Sequence, residues 1–525
     1  MGIYLNPGNE NFVEMINAKI YVDKTMMINA VNDLMKSGNK YICISRPRRF
    51  GKTMAGNMLS AYYSKGCDSA EIFKRFKISG VPGYEDKLNK YNVIKIDMNS
   101  EYQNADNKNT LIKYLKKNIK TEIKEAYPNV TFASNDTLEK CMLRVFQTTG
   151  DTFVIIMDEY DVLVREDVDQ KLFDEFLSFL NGLFKSDTLR PAIALAYLTG
   201  ILPVVRDKVQ SKLNNFREYT ILDAGELAEF VGFTSSEVKD LCEKNNLDFD
   251  ERRRWYDGYT QNGLEIFNPE SVVESVNRKK CAGYWSRTST YQVIADRIKQ
   301  NFSGTRDDVI RMISGEKVRV EIGMFLNTMN SFRSKDDVFT YLIHVGYLTY
   351  DEDSMTCRIP NREVLKEWEY AISVEEGYEV TNAIIKASEE LLTETWNGNA
   401  DAVAKALDES HIHVTSNRSY NNEDALQSAI YLAYLYALNK YNVYKELTTG
   451  KGFADVVYVP VFPDIPAMII ELKHNKSAES ALDQIKDKKY FDSLNHYYGN
   501  LLFVGINYDE DTKSHECRIE RFVKK

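Results

Sequence analysis

The chain has 525 residues, 43% of them hydrophobic and 27% charged, with a formal net charge of −10, the balance of a soluble globular protein of about two to four domains. The acidity excludes a chain coated in nucleic acid, so any such contact must come from a local basic patch or from metal-bridged phosphates. No apolar run approaches the ~20 residues of a membrane span, Met1 to Pro7 lack the basic-then-apolar order of a signal peptide, and seven scattered cysteines without metal spacing suit a reducing, cytoplasmic setting.

In chain order, the first predicted element is an amphipathic helix over 24–36, with an N-cap at Asp23 or Thr25. The apolar run Tyr41-Ile42-Cys43-Ile44 then predicts a strand, and Met54, Met58, Leu59 and Tyr62 predict a helix. Between them lies Ser45-Arg46-Pro47-Arg48-Arg49-Phe50-Gly51-Lys52-Thr53. Strand, tight loop and helix are the context of a phosphate cradle: loop N–H groups and the open helix start face the phosphates, Lys52 adds a point charge, and the Thr53 hydroxyl can ligate Mg²⁺. Arg48, Arg49, Phe50, Gly51, Lys52, Thr53 and Met54 are the nucleotide-binding candidates. The motif G-x-x-x-x-G-K-[ST] wants glycine at 46, where this chain has Arg46. Taken alone, the stretch also fits a basic turn capping a helix.

A second strand is predicted over Tyr91–Met98, followed by a lysine-rich helix, 108–126, read as a solvated face, and a helix over 136–148. Phe153-Val154-Ile155-Ile156-Met157 is a buried-strand run that ends in Asp158 and Glu159. An NTPase needs a carboxylate there to hold Mg²⁺ and another to orient or deprotonate the attacking water, roles suited to Asp158 and Glu159. The plain alternative is a core strand leading into a helix whose first turn favours acids. A helix over 169–185 and a strand ending at Thr199-Gly200 complete an alternation that predicts a mostly parallel sheet, with ligands at the C-terminal strand ends. Thr199 is then a candidate γ-phosphate or water contact. Arg48, Arg49, Arg206, Arg217 or an arginine of a neighbouring subunit could neutralise transferring phosphate; the sequence leaves that open.

R-P-R-R-F-G-K-T resembles the phosphate loop of the bacterial AAA-ATPase-like family that carries a PD-(D/E)XK nuclease-like domain at its C-terminus. Tyr21-Val22-Asp23-Lys24-Thr25, Leu198-Thr199-Gly200-Ile201, Trp255-Tyr256-Asp257-Gly258-Tyr259, Phe267-Asn268-Pro269, Gly346-Tyr347-Leu348-Thr349 and Ile359-Pro360-Asn361-Arg362-Glu363-Val364 agree with it, nearly end to end. That family replaces the first loop glycine with arginine, as Arg46 does. The resemblance implies an α/β P-loop domain over 1–225, a helical, lid- or winged-helix-like middle domain over 226–375, a helical connector over 376–416 and a restriction-endonuclease-like α/β domain over 417–525. Within the middle domain, Thr234-Ser235-Ser236-Glu237 is a capping box and Asp257-Gly258 a turn signal.

The last hundred or so residues carry a second constellation. Helix 423–439, strand 441–447, the tip Thr448 to Gly452, strand Phe453–Val459, strand Ala467–Lys473, helix 477–495 and strand 500–506 follow the order of the PD-(D/E)XK core. Antiparallel pairing would bring Asp455 and Glu471 together, and Lys473, two residues on, shares the face of Glu471. Two carboxylates and the Leu472 carbonyl are hard oxygen ligands for Mg²⁺, and Lys473 could orient or deprotonate the attacking water. Gln484, about two turns into the next helix, matches a helix glutamine of many such nucleases; Glu423 is a further acid candidate. An amphipathic strand ending E-L-K is the ordinary alternative.

Together these residues predict an ATP- and Mg²⁺-using ATPase coupled to a metal-dependent nuclease acting on nucleic acid, DNA ahead of RNA, away from membranes and open to homo-oligomer formation. The competing expectations are a nucleotide-operated switch whose tail domain only binds a partner, and a bare ATP-binding protein.

Overall fold

Apolar strand runs separated by amphipathic stretches fold as their alternation predicts. Helix α1 (Met26–Lys36) precedes β1 (Tyr41–Ser45), α2 (Lys52–Tyr63), β2 (Asn92–Asp97), α3 (Leu111–Ala126), α4 (Leu138–Thr149), β3 (Phe153–Asp158), the one-turn α5 (Val162–Arg165), α6 (Gln170–Phe184), β4 (Ile193–Gly200) and β5 (Arg217–Tyr219). This computed structural model describes all residues except 1, 167, 204–214, 286–291, 301, 314, 325–331, 375–378, 415–429, 431–432, 435, 438–439, 450–451, 461–464, 491–493, 495–499 and 523–525. Arg206, Glu423 and most of the helix expected over 423–439 lie outside the described residues.

The five strands form one sheet in the order β2-β3-β4-β1-β5, every pairing parallel. Alternating side chains serve its two faces. Ile155 and Met157 of β3 pack with Leu115 and Ile119 of α3, Cys141 of α4 and Phe176 of α6. Ile156 points the other way, onto Gly56 of α2. Because β4 runs between β1 and β3, the phosphate-loop candidate, Thr199 and Asp158 sit at three adjacent strand ends.

The same compact unit continues to Trp368. It contains β6 (Phe233–Thr234), α7 (Ser235–Asn245), α8 (Phe249–Tyr256), β7 (Tyr259–Gln261), β8 (Leu264–Phe267), α9 (Pro269–Asn277), α10 (Gln292–Ile298), α11 (Thr305–Ile313), β9 (Val318–Arg319), α12 (Lys335–His344), β10 (Thr349–Asp351) and β11 (Thr356–Arg358). Helix α13 (Arg362–Val374) crosses the unit boundary. The capping box forms, with Thr234 and Glu237 each accepting from the other's backbone N–H. Expected as a helical, lid- or winged-helix-like domain, this region combines its helices with two three-stranded sheets, β6-β8-β7 and β10-β11-β9.

The second unit is Glu369–Lys525. It comprises α14 (Glu379–Asn397), α15 (Ala400–Val414), β12 (Tyr441–Thr449), β13 (Gly452–Pro460), β14 (Ala467–His474), α16 (Ala478–Asp487), β15 (Leu501–Asp509) and β16 (Ser514–Phe522). Its five-stranded sheet runs β12-β13-β14-β15-β16; α16 makes the crossover between the parallel strands β14 and β15, and the other pairings are antiparallel. The final strand, β16, was not foreseen from the sequence. The segment 376–416, expected as a connector, is instead part of this unit: Leu391, Leu392, Val403 and Leu407 share a buried cluster with Val456, Ile470 and Val504 of the sheet. Val457, Ile469 and Phe503 face the opposite side, against Leu482 and Ile485 of α16.

Candidate functional site

The first candidate site grows from the end of β1. The chain leaves the strand at Ser45, takes the left-handed conformation at Arg49 (φ 68°) and at Gly51 (φ 90°), and starts α2 at Lys52. No side chain caps that helix, so its first N–H groups are open to an acceptor. Lys52 is buried and donates to the carbonyls of Arg46 and Pro47, both at 2.8 Å. Burial pushes its pKa down to about 8, against the pull of Asp158, Asp161 and Glu159. That pull places the lysine and the acidic strand end in one electrostatic neighbourhood. Thr53 and Met54 are exposed in the first turn of α2.

Asp158, buried at the end of β3, accepts a hydrogen bond from the Thr199 hydroxyl and one from the Glu159 N–H at 3.1 Å. Glu159 itself has φ 48°, and its carboxylate pairs with the Arg165 guanidinium at 2.7 Å. Thus Lys52, Asp158, Glu159 and Thr199 come together.

The arginines separate. Arg46 is fully buried; Nη1 donates to the Ser45 and Tyr219 carbonyls at 2.8 Å each, while Nε and Nη2 have no hydrogen-bond partner among the described residues. Burial pushes its pKa down to about 10. It ties the loop to β5. Arg49 lies 4.0 Å from Glu270, and Arg217 is paired with Glu226 at 3.2 Å on the surface. Sequence reasoning missed Arg165, because nothing in V-L-V-R signals that its last residue turns back onto the acids.

The family-like stretches of residues 255–364 gather around the outer side of the loop. Phe50 is buried edge-on against Tyr259, ring centroids 5.2 Å apart. The Tyr259 hydroxyl donates to the Gly346 carbonyl at 2.8 Å, and a Cβ on Gly346 would stand 2.7 Å from Pro47. The Asn268 amide donates to the Arg48 carbonyl at 3.5 Å, and Asn361 donates to the Asp257 carbonyl at 2.7 Å. Beside Gly51 and Met54 opens a mainly apolar cavity of about 240 Å³, walled by Tyr21, Val22, Met58, Phe230 and Phe233. Those walls come from segments some two hundred residues apart, which no local pattern connects.

The second candidate site lies on the α16 face of the C-terminal sheet. Pairing of Val456 with Ile470 sets Asp455 opposite Glu471 one step further on. The Asp455 carboxylate accepts the Leu472 N–H at 2.8 Å. Glu471 is almost fully buried; one oxygen takes bonds from Lys473, at 3.1 Å, and from the Gln484 amide. Its other oxygen, Oε2, has no hydrogen-bond partner among the described residues. Burial first, and then the charge of Asp455, raise the Glu471 pKa to about 7, with Lys473 opposing. Gln484 also donates to the Tyr490 hydroxyl at 3.1 Å, a second residue missed from sequence. Asp455, Glu471, Lys473 and Gln484 therefore meet. Among the described residues no group of three or more His, Cys, Asp or Glu could hold a metal, so the available donor set is two carboxylates and backbone. A buried carboxylate oxygen without a donor fits a hard divalent cation.

No described helix is long and apolar enough to cross a membrane. Residues 7–210 match the family described as predicted AAA-ATPase, and residues 421–517 match the PD-(D/E)XK nuclease superfamily. A curated relative, an uncharacterized protein in the vnfD 5′ region of Azotobacter chroococcum mcd 1, is 22% identical over 291 residues, 53% of this chain and 52% of that protein. The chain thus spans about half the length of that relative. Among solved structures, the ORC2 protein of Aeropyrum pernix aligns with 70% of this chain and 97% of its own, at 10% identity and a TM-score of 0.31. Cdc6p of Pyrobaculum aerophilum covers 70% and 99%, at 10% identity and 0.25.

Proposed function

We propose that this chain, which carries an AAA-ATPase-like domain followed by a PD-(D/E)XK nuclease-superfamily domain, binds and hydrolyses ATP in its first unit and cuts nucleic acid, DNA ahead of RNA, in its second. The observation that carries the ATPase reading is the meeting of Lys52, Asp158 and Thr199 at three adjacent strand ends. Lys52 exchanges its two loop carbonyls for phosphate oxygens, and the open start of α2 receives the same charge. Thr53 and Asp158 would hold a magnesium ion, which supplies charge neutralisation on the phosphates. Thr199 keeps Asp158 oriented, and Glu159 orients or deprotonates water. The apolar cavity beside Gly51 suits a base and ribose.

In the second unit, Asp455 and Glu471 would hold a divalent ion, which polarises the scissile phosphate. Lys473 and Gln484 fix the Glu471 carboxylate, and Lys473 offsets charge on the phosphodiester. A switch reading is favoured by a separate observation: Pro47, Arg48 and Phe50 of the loop all touch residues 259–346, so a change at the loop has a mechanical route into that region. The two readings are compatible, with turnover resetting the switch.

The test is an assay pair on the full chain. Phosphate release from Mg-ATP is expected to vanish in Lys52→Ala, and cleavage of a panel of DNA and RNA forms with Mg²⁺ or Mn²⁺ is expected to vanish in Lys473→Ala. Cleavage that survives Lys473→Ala removes the tail site, and phosphate release that survives Lys52→Ala removes the loop.

A further inference from the structure

Arg49 faces Glu270 and Arg217 faces Glu226; the arginine on Glu159 is Arg165. Its side chain is only 11% exposed and bridges two carboxylates, Nη2 to Glu159 at 2.7 Å and Nε to Asp161 at 3.2 Å. The two partners are not alike. Asp161 is 1% exposed, and the oxygen facing Arg165 also accepts the Ile201 and Leu202 N–H groups at 3.0 and 2.8 Å. It is fixed to the turn that follows Thr199-Gly200. The Glu159 carboxylate is 33% exposed and no other hydrogen bond holds it among the described residues. Arg165 therefore has one permanent anchor and one exchangeable partner.

The exchange partner is defined by the neighbourhood. Arg165 sits on Glu159, whose N–H is bonded to Asp158, and its charge opposes that of Lys52, so the guanidinium belongs to the strand-end neighbourhood of the phosphate-loop lysine. A terminal phosphate held by Lys52 carries more charge than a carboxylate, and the planar guanidinium matches its oxygens in bidentate fashion. As long as Glu159 is engaged by Arg165, one of its oxygens is taken by the guanidinium and the carboxylate is held where Arg165 sets it rather than where water would be attacked from. We propose that Arg165 senses the terminal phosphate of a nucleoside triphosphate: it leaves Glu159 for that phosphate while staying on Asp161, and so frees Glu159 for water only when a triphosphate, not a diphosphate, is bound. This rests on the ATP-binding reading above and adds the means by which the site tells the two nucleotides apart. Asp161 adds a consequence, because the same carboxylate that anchors Arg165 also fixes the backbone just after Thr199, so the sensing group and the Thr199 strand end move as one body.

The test measures affinity, not turnover. Calorimetric titration of the full chain with a non-hydrolysable ATP analogue and with ADP, both with Mg²⁺, is carried out on the parent, Arg165→Gln, Glu159→Gln and the double variant. Arg165→Gln is expected to lose about tenfold in analogue affinity with ADP within twofold, on the scale of one charge-assisted contact. Glu159→Gln removes the competitor and is expected to tighten the analogue severalfold without changing ADP, and that gain should disappear in the Arg165→Gln background. An equal loss for both nucleotides, or a Glu159→Gln gain that persists without Arg165, overturns the proposal. Should Arg165→Gln not fold, Arg165→Lys, which keeps the charge and an Asp161 contact, takes its place, with partial discrimination expected and full discrimination or none counting against. If the parent binds neither nucleotide and equals Lys52→Ala, it is the ATP reading itself that has failed.

Discussion

At the end of the parallel sheet the charged groups satisfy one another: Lys52 rests on two loop carbonyls, Asp158 on Thr199, and Glu159 on Arg165. On the C-terminal sheet, Glu471 keeps one buried oxygen without a donor among the described residues, and Asp455 adds a like charge beside it. The first arrangement is a set of exchangeable pairs, which can stand empty and be rearranged by an incoming anion. The second is an unfinished coordination sphere, which either a proton or a cation completes. Under the proposed function, one unit responds to a ligand and the other retains one.

The largest effect expected on the first side is in Lys52→Ala. The lysine is held by two loop carbonyls and drawn by Asp158, Asp161 and Glu159, and its removal should lower triphosphate affinity about a hundredfold or more, the scale of a lost charge-assisted contact in a buried site. Calorimetry checks this, and a loss under fivefold would mean that the loop does not bind phosphate. The corresponding break on the second side is Glu471→Gln. It should abolish the rise in melting temperature that Mg²⁺ or Mn²⁺ gives the parent, while the metal-free form shifts by no more than about 1 kcal/mol, because relief from burying a carboxylate beside Asp455 is set against the loss of its pairing with Lys473. If the variant is stabilised by cations as much as the parent is, the contrast between the two sites is false.

pH should move the two sites in opposite directions. Glu471 has its pKa raised to about 7, so a cation must displace a proton below that value. Divalent affinity should then climb about tenfold per unit up to pH 7 and level off above it. For the metal-free fold the sign is the reverse: a carboxyl raised in the native state contributes stability that is complete below the unfolded value of about 4.3 and lost as pH rises to 7. Lys52, lowered to about 8 by burial, loses its charge above that pH in the free protein, while bound phosphate would hold the proton. Nucleotide affinity should therefore fall above pH 8, two units earlier than for a lysine of ordinary pKa near 10.4. Titrations from pH 6 to 9.5 read both arms.

The same contrast explains what the sequence disclosed. The loop, Asp158 and Thr199 were legible because each ends an apolar strand run, and parallel strands bring their C-terminal ends to one edge of the sheet whatever their order. Asp455 and Glu471 were legible because one hairpin pairs them, and Lys473 and Gln484 because period two and period 3.6 fix their faces. The partners that tune these groups were not. Arg165 folds back onto Glu159, where the chain takes φ 48°, and the cavity walls Tyr21, Phe230 and Phe233 meet through long-range packing. The segment 376–416 looked like a connector since its charged face is as prominent as the leucines that bury it against the sheet.

Arg46 gives the smallest expected effect on binding and the sharpest check on where the loop keeps its charge. It stands where the phosphate-loop motif has glycine, yet its guanidinium bonds the Ser45 and Tyr219 carbonyls and leaves two nitrogens without partners among the described residues. A buried cation with such incomplete pairing contributes little net stability relative to an apolar side chain of similar volume. Arg46→Met should therefore change unfolding free energy by no more than about 1 kcal/mol, in either direction, and nucleotide affinity by less than about threefold. Arg46→Gly restores the motif but empties the space beneath β5, and should cost about 2–4 kcal/mol in chemical denaturation, as large-to-small core changes do. A strong loss of nucleotide affinity in Arg46→Met, with stability intact, would show instead that the guanidinium turns to the phosphates, and the loop would then hold two exchangeable cations rather than one.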